Sequence, residues 1–230
     1  MKIESVDIFY LHWPDPKTPL EQSLKRVNEL HKAGKFREFG ISNFSHTLLI
    51  EILSICDAKG FLKPTVYQGM YNMLTRAVEP ELFPLLRQHG MRFYAYNPLA
   101  GGLLTGKYTS YQDQPIQNTR FHDIKVVGKR YQDRYWKPCY FDALAIVKEA
   151  IAQHYPEKTL AEVSLTWMHH HSALNREAYD GIIVGQSSMT HLQTNLHSGT
   201  QSSEKLPQVI LDAIEKAWET VKPECPPYFR

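Results

Sequence analysis

RFYAYNPLAGGLLTGK, residues 92–107, decides the fold. Its first five residues read as a short apolar strand rich in aromatics. Pro98 ends the strand, and Tyr96 and Asn97 at its carboxyl end lead into a run containing Gly101 and Gly102. A buried strand that runs straight into a polar, glycine-bearing turn is characteristic of parallel α/β folds, where chemistry collects at the carboxyl ends of strands.

Working outward, the same alternation recurs. Residues 6–11 (VDIFYL), 39–41 and 65–71 give further strand signals before it, and residues 182–184 give one after it. Between them lie helical periodicities. In residues 20–33, Leu20, Leu24, Val27 and Leu30 share one face, with Gly34 as a stop. The next helix starts at a Ser45 cap, buries Leu48, Leu49, Ile52, Leu53 and Cys56, and ends near Gly60. A third runs to Gly90 with Pro80 in its first turn. Helices are expected at residues 140–154, 160–171, 190–196 and 207–221. Residues 99–138 read as a long polar loop, a length that compact domains keep for functional segments. Repeated strand–helix units imply a parallel sheet with right-handed crossovers. Two architectures fit, an open doubly wound sheet and part of a (β/α)8 barrel. The absence of GxGxxG weighs against the first.

Composition bounds the function. The chain has 230 residues, 43% hydrophobic and 22% charged, which is globular rather than disordered. Its net charge of +2 supplies no basic field for nucleic acid. Three dispersed cysteines, Cys56, Cys139 and Cys225, do not make a disulfide framework and suit a reducing compartment. No apolar run reaches the ~20 residues that span a bilayer, and the first residues lack a signal peptide's apolar stretch. The expectation is one domain over residues 1–230, soluble and cytoplasmic, with neither nucleic acid nor membrane as partner.

The strand ends carry unusual polarity: His12, Ser42–Asn43, Gln68 with Tyr71–Asn72, Tyr96–Asn97, and Gly185–Ser188 opening a helix. Each alone has a plain reading, such as a turn, a cap or a structural imidazole. Together they form one rim of amide, hydroxyl and imidazole groups. Glycines and a helix N-terminus there suit a phosphate. The rim reads as a nucleotide-cofactor site with one histidine able to donate a hydrogen bond. No metal is expected. His169, His170 and His171 are consecutive at a helix end and point in different directions, so they read as solvated, as do Asp212 and Glu215. Arg120, Arg130, Arg134, Tyr131, Tyr135 and Trp136 mark residues 109–137 as a lid over the site.

VDIFYLHWPD, GKFREFGISNF, TVYQGMYN, RFYAYNPLAGGLLTGKY, GIIVGQSSMTHLQTNL and the final ECPPYFR resemble the aldo-keto reductase superfamily, most of all its aflatoxin aldehyde (succinic semialdehyde) reductase branch. The resemblance covers essentially the whole chain. It implies a (β/α)8 barrel that uses NADPH to reduce aldehydes and ketones, with a Tyr, Lys, Asp and His tetrad. His12 then matches the tetrad His after strand 4. Ser42, Asn43 and Gln68 match the residues at the nicotinamide carboxamide, and Tyr96 the aromatic stacked on that ring. Asn97, Leu99, Gly101 and Lys107 fall in the pyrophosphate loop, and Gln186, Ser187, Ser188 and Asn195 in the adenosine-phosphate region. His191 stands where many members place an Arg. Trp13, Asn72 and Arg230 match substrate-side positions, Arg230 towards acidic substrates.

By the same resemblance the chain is expected to hold strands 4–8 of an incomplete barrel and to lack strands 1–3. The tetrad Tyr, Lys and Asp are carried onto no residue here. Five strands do not close an eight-stranded barrel, so open edges, and a homodimer across them, are further expectations. The alternative functions are a non-catalytic cofactor-binding or regulatory subunit, or an inactive truncated product.

Overall fold

Val6–Leu11 forms β1, and its register against β2, Phe36–Ser42, sets the frame of the sheet. A computed structural model of the chain describes residues 3–117, 119–122, 126–186, 188–196 and 205–229. Three more strands follow, β3 (Val66–Met70), β4 (Arg92–Tyr96) and β5 (Gly181–Ile182). All pairings are parallel and the order in space follows the chain, β1-β2-β3-β4-β5. A doubly wound sheet reverses direction at a switch point. This sheet does not reverse. It has the sequential winding of a barrel wall, and its five strands do not close among the described residues.

Between the strands run α1 (Leu20–Lys32), α2 (His46–Lys59) and α3 (Leu82–Gln88). The Ser45 hydroxyl caps α2 by accepting from Leu48 N at 3.2 Å, and Gly60 ends it at φ 64°. The third helix begins later than the sequence reading has it. Pro80 lies in the preceding turn, and Pro84 occupies the first turn of α3, where a missing N–H costs nothing.

The stretch read as a loop is partly helical. After β4 a 3-10 turn, Ala100–Thr105, leads to α4, Val126–Tyr135. Then come α5 (Pro138–His154), α6 (Leu160–His170), α7 (Met189–Leu196) and α8 (Gln208–Val221). Thr159 and Glu162 form a reciprocal capping box at α6. The α5 and α8 helices pack along each other, burying Leu144, Val147 and Ile151 on one and Ile210, Ile214 and Ala217 on the other.

Glu215 is more than a solvated residue. It accepts from Arg76 at 2.6 Å, and that guanidinium also lies against the Trp167 and Trp218 rings. His171 is also engaged, since its Nε2 accepts from Leu206 N at 3.0 Å. The described residues contain no grouping of three or more His, Cys, Asp or Glu fit for a metal. No described helix is long and apolar enough to cross a membrane. The three cysteines are free thiols, and burial pushes Cys56 and Cys225 up to about 11.

Candidate active site

Strand register builds the site. Leu11 faces Ile41, Ser42 faces Gln68, and Met70 faces Tyr96. The residues at or just past those positions therefore line up along one rim. His12, Trp13, Ser42, Asn43, Gln68 and Tyr96 line a cleft of about 220 Å³. Arg120, Tyr131, Arg130 and Arg134 close its other side.

Side-chain hydrogen bonds tie the rim across three strands. Asn43 Nδ2 donates to the His12 carbonyl at 2.8 Å and to Ser42 Oγ at 3.0 Å. Tyr96 OH donates to Asn43 Oδ1 at 3.0 Å. Asn43 and Asn97 both have left-handed backbones, φ 64° and 59°, at the ends of β2 and β4. Such conformations in non-glycine residues cluster at functional sites. The His12 ring stacks on Trp13 with centroids 4.4 Å apart, and Trp13 is 43% exposed at the mouth of the cleft.

The lid side hangs from Tyr131, which donates to Asn97 Oδ1 at 3.2 Å and accepts from Arg120 at 2.5 Å. Arg134 lies 6.0 Å from the Tyr131 ring centre and Arg130 5.9 Å from that of Trp13. Among the described residues none of the three arginines makes an ion pair, and the lining holds no carboxylate. The lining therefore presents positive charge to the cleft. Behind it Tyr135 is fully buried and donates to Met70 Sδ at 3.0 Å, and burial raises its phenol above the ordinary range.

The other expected site residues are placed differently. Asn97 sits at the hinge between rim and lid, and its Nδ2 is buried without a partner among the described residues. Asn72, expected at the substrate, is wholly buried instead. It donates to the Asn97 carbonyl at 3.0 Å and accepts from Leu74 N at 3.0 Å, so it braces the turn after β3. Leu99 and Gly101 lie in the turn after β4, and Lys107 is exposed beyond it. Gln186 and Ser188 are exposed before and at the start of α7, which carries Asn195. None of these lines the cleft, although Gly185 comes within 4 Å of Arg120 when given a Cβ. Ser187, Arg230 and the His191 side chain lie outside the described residues.

By sequence, Arg120, Arg130, Tyr131 and Arg134 belong to a lid and carry no individual role. The signal available was the dense mix of arginine and aromatics between two helical stretches. The turn adds a backbone surface. Gly101 and Gly102 have φ 69° and 109°, and a Cβ on Gly102 would meet nothing within 4 Å. An amide–hydroxyl row, an aromatic, an open glycine backbone and three guanidiniums suit a ligand with an amide-bearing ring and anionic groups.

The model of the aldo/keto reductase family matches residues 1–219. The chain belongs to the aldo/keto reductase family. It is similar to human aldo-keto reductase family 7 member A3, 45% identical over 98% of this chain and 68% of that protein. It is also similar to aflatoxin B1 aldehyde reductase member 2 from human, at 45% identity over 100% of this chain and 64% of that protein. For the mouse protein of the same name the values are 46%, 98% and 61%. The chain thus spans 61–68% of the length of these three relatives.

Proposed function

We propose that this aldo/keto reductase chain holds the cofactor-binding and carbonyl-polarising part of an NADPH-dependent aldehyde reductase site, on a wall of the family's (β/α)8 barrel. The observation that carries the reading is the convergence of His12, Ser42, Gln68 and Tyr96 in one cleft with Arg120, Arg130 and Arg134. The residues fit the cofactor: Ser42 and Gln68 suit an amide, Tyr96 a flat ring, and the glycine turn and arginines its phosphates.

NADPH, when bound, supplies the hydride. The chain's own contribution is to hold the aldehyde. The His12 imidazole donates a hydrogen bond to the carbonyl oxygen and draws negative charge onto it. The guanidiniums orient a substrate that carries a carboxylate, through charge-assisted hydrogen bonds. Trp13 covers the mouth and limits water. The aflatoxin aldehyde named for two of the relatives and small acidic semialdehydes are the substrate classes this reading favours. A cytoplasmic protein, alone or as a homodimer paired through sheet edges, is consistent with it.

A second reading has one observation in its favour. No Asp or Lys lines the cleft with His12 among the described residues, which suits a cofactor-binding subunit without turnover. Titration with NADPH, followed by protein fluorescence, tests the cofactor site. NADPH oxidation with 2-carboxybenzaldehyde then separates the readings. Binding with turnover supports the reductase, binding without turnover the second reading, and no binding by folded protein refutes both.

A further inference from the structure

Asn43 is by resemblance a carboxamide ligand, yet its side chain is already engaged. Both Nδ2 hydrogens are used, one on the His12 carbonyl at 2.8 Å and one on Ser42 Oγ at 3.0 Å. Its Oδ1 accepts from Tyr96 OH at 3.0 Å. A primary amide has two donors and two acceptor positions, and three of these four are used within the rim. The residue is 5% exposed and in the left-handed region, φ 64°. That conformation carries a cost, which the three contacts offset.

The backbone carbonyl it grips matters. His12 lies just past the end of β1, whose register with β2 stops at Leu11 and Ile41. The His12 peptide therefore lies beyond the ladder, and the Asn43 amide holds it in the ladder's place. Through Tyr96 the same amide reaches the end of β4, two strands further along. We infer that Asn43 is a positioning residue that fixes the His12 imidazole by clamping its backbone carbonyl, with Tyr96 OH orienting the clamp. This deepens the reading of the site given above and rests on it for the role of His12.

The test is made on the full chain without cofactor. Imidazole signals of His12 are followed by NMR, and amide exchange at Trp13, whose N–H shares the clamped peptide plane, is measured in wild type, Asn43→Gly and Tyr96→Phe. Glycine accepts the backbone at position 43 without strain, so Asn43→Gly removes the clamp, and with it the contacts to Ser42 and Tyr96, at no backbone cost. It is expected to shift the His12 ring signals and to speed Trp13 exchange roughly tenfold, the loss of one net hydrogen bond. Tyr96→Phe frees only Oδ1 and is expected to move the same signals the same way by a smaller amount. If Asn43→Gly melts, Tyr96→Phe decides.

Unchanged His12 signals and unchanged exchange in the folded variants overturn the proposal. An NADPH titration of the same proteins keeps the two ideas apart. Wild type that does not bind NADPH refutes the cofactor site and leaves the clamp result standing. Asn43→Gly that loses NADPH affinity with an undisturbed His12 makes Asn43 a direct ligand and refutes the clamp.

Discussion

The guanidinium of Arg130 lies 5.9 Å from the centre of the Trp13 ring, so α4 touches the residue that stacks on His12. This joins the arginine side of the cleft to its imidazole side. Arg130→Ala is expected to weaken binding of a carboxylated aldehyde by roughly 10- to 100-fold, the worth of a charge-assisted hydrogen bond. A neutral aldehyde should lose less than about threefold, the scale of an exposed cation–π contact. Calorimetric titration with 2-carboxybenzaldehyde and benzaldehyde checks the difference. The wild-type preference should also shrink as salt is added.

Asp180 is a buried carboxylate with several donors around it. Its side chain is 0% exposed and pairs with Arg87. It also accepts from Phe93 N at 2.7 Å and from Asn175 N at 2.8 Å. One carboxylate thus joins α3, the start of β4 and the turn into β5. Asp180→Ala strands the Arg87 charge and two amides, and the expected cost is about 3–5 kcal/mol. Urea unfolding checks it as a lowered midpoint at unchanged slope.

The end of α6 is expected to make stability depend on pH. Burial, then Arg176 and His170, push His169 down to about 4. Burial, then His170 and Lys205, lower His171. A histidine with a depressed folded pKa binds protons more readily once unfolded. Stability is therefore fully present above the ordinary value of about 6.5 and falls as pH drops through the folded values. Protonated His171 also cannot accept from Leu206 N. The urea midpoint should be flat above about pH 7 and fall between about pH 6.5 and 4. A His169→Gln/His171→Gln variant should show a shallower fall.

Much of this was legible in the sequence for reasons that are local. The limits of β1 and β4 match because hydrophobic strand signals with clear stops determine them, and Ser45 and Gly60 bound α2 by cap chemistry. The rim of His12, Ser42, Gln68 and Tyr96 follows from parallel winding, which puts every strand's carboxyl end on one side. The α4 helix was not legible as a helix. Its buried face is only Gly128, Tyr131 and Tyr135 among its described side chains, and Tyr131 is held by Asn97 and Arg120 from distant parts of the chain. Asn72 misled because an amide after a strand looks the same whether it meets a ligand or braces a turn.

The glycine turn after β4 separates steric from conformational effects. A Cβ on Gly101 would sit 2.4 Å from Tyr131 Cδ1, and Tyr131 is 8% exposed and pinned to Asn97. A Cβ on Gly102 would meet nothing within 4 Å, so only its φ of 109° resists substitution. Gly102→Ala should therefore cost about 1–3 kcal/mol of stability while leaving the Arg120–Tyr131 contact in place. Gly101→Ala must displace the ring on which the arginine side of the cleft hangs. It should weaken NADPH binding at least roughly tenfold, as losing one charge-assisted contact would, and change the near-ultraviolet signal of the aromatics around Tyr131. Equal NADPH affinity in the two variants would show that Tyr131 does not couple the turn to the cleft.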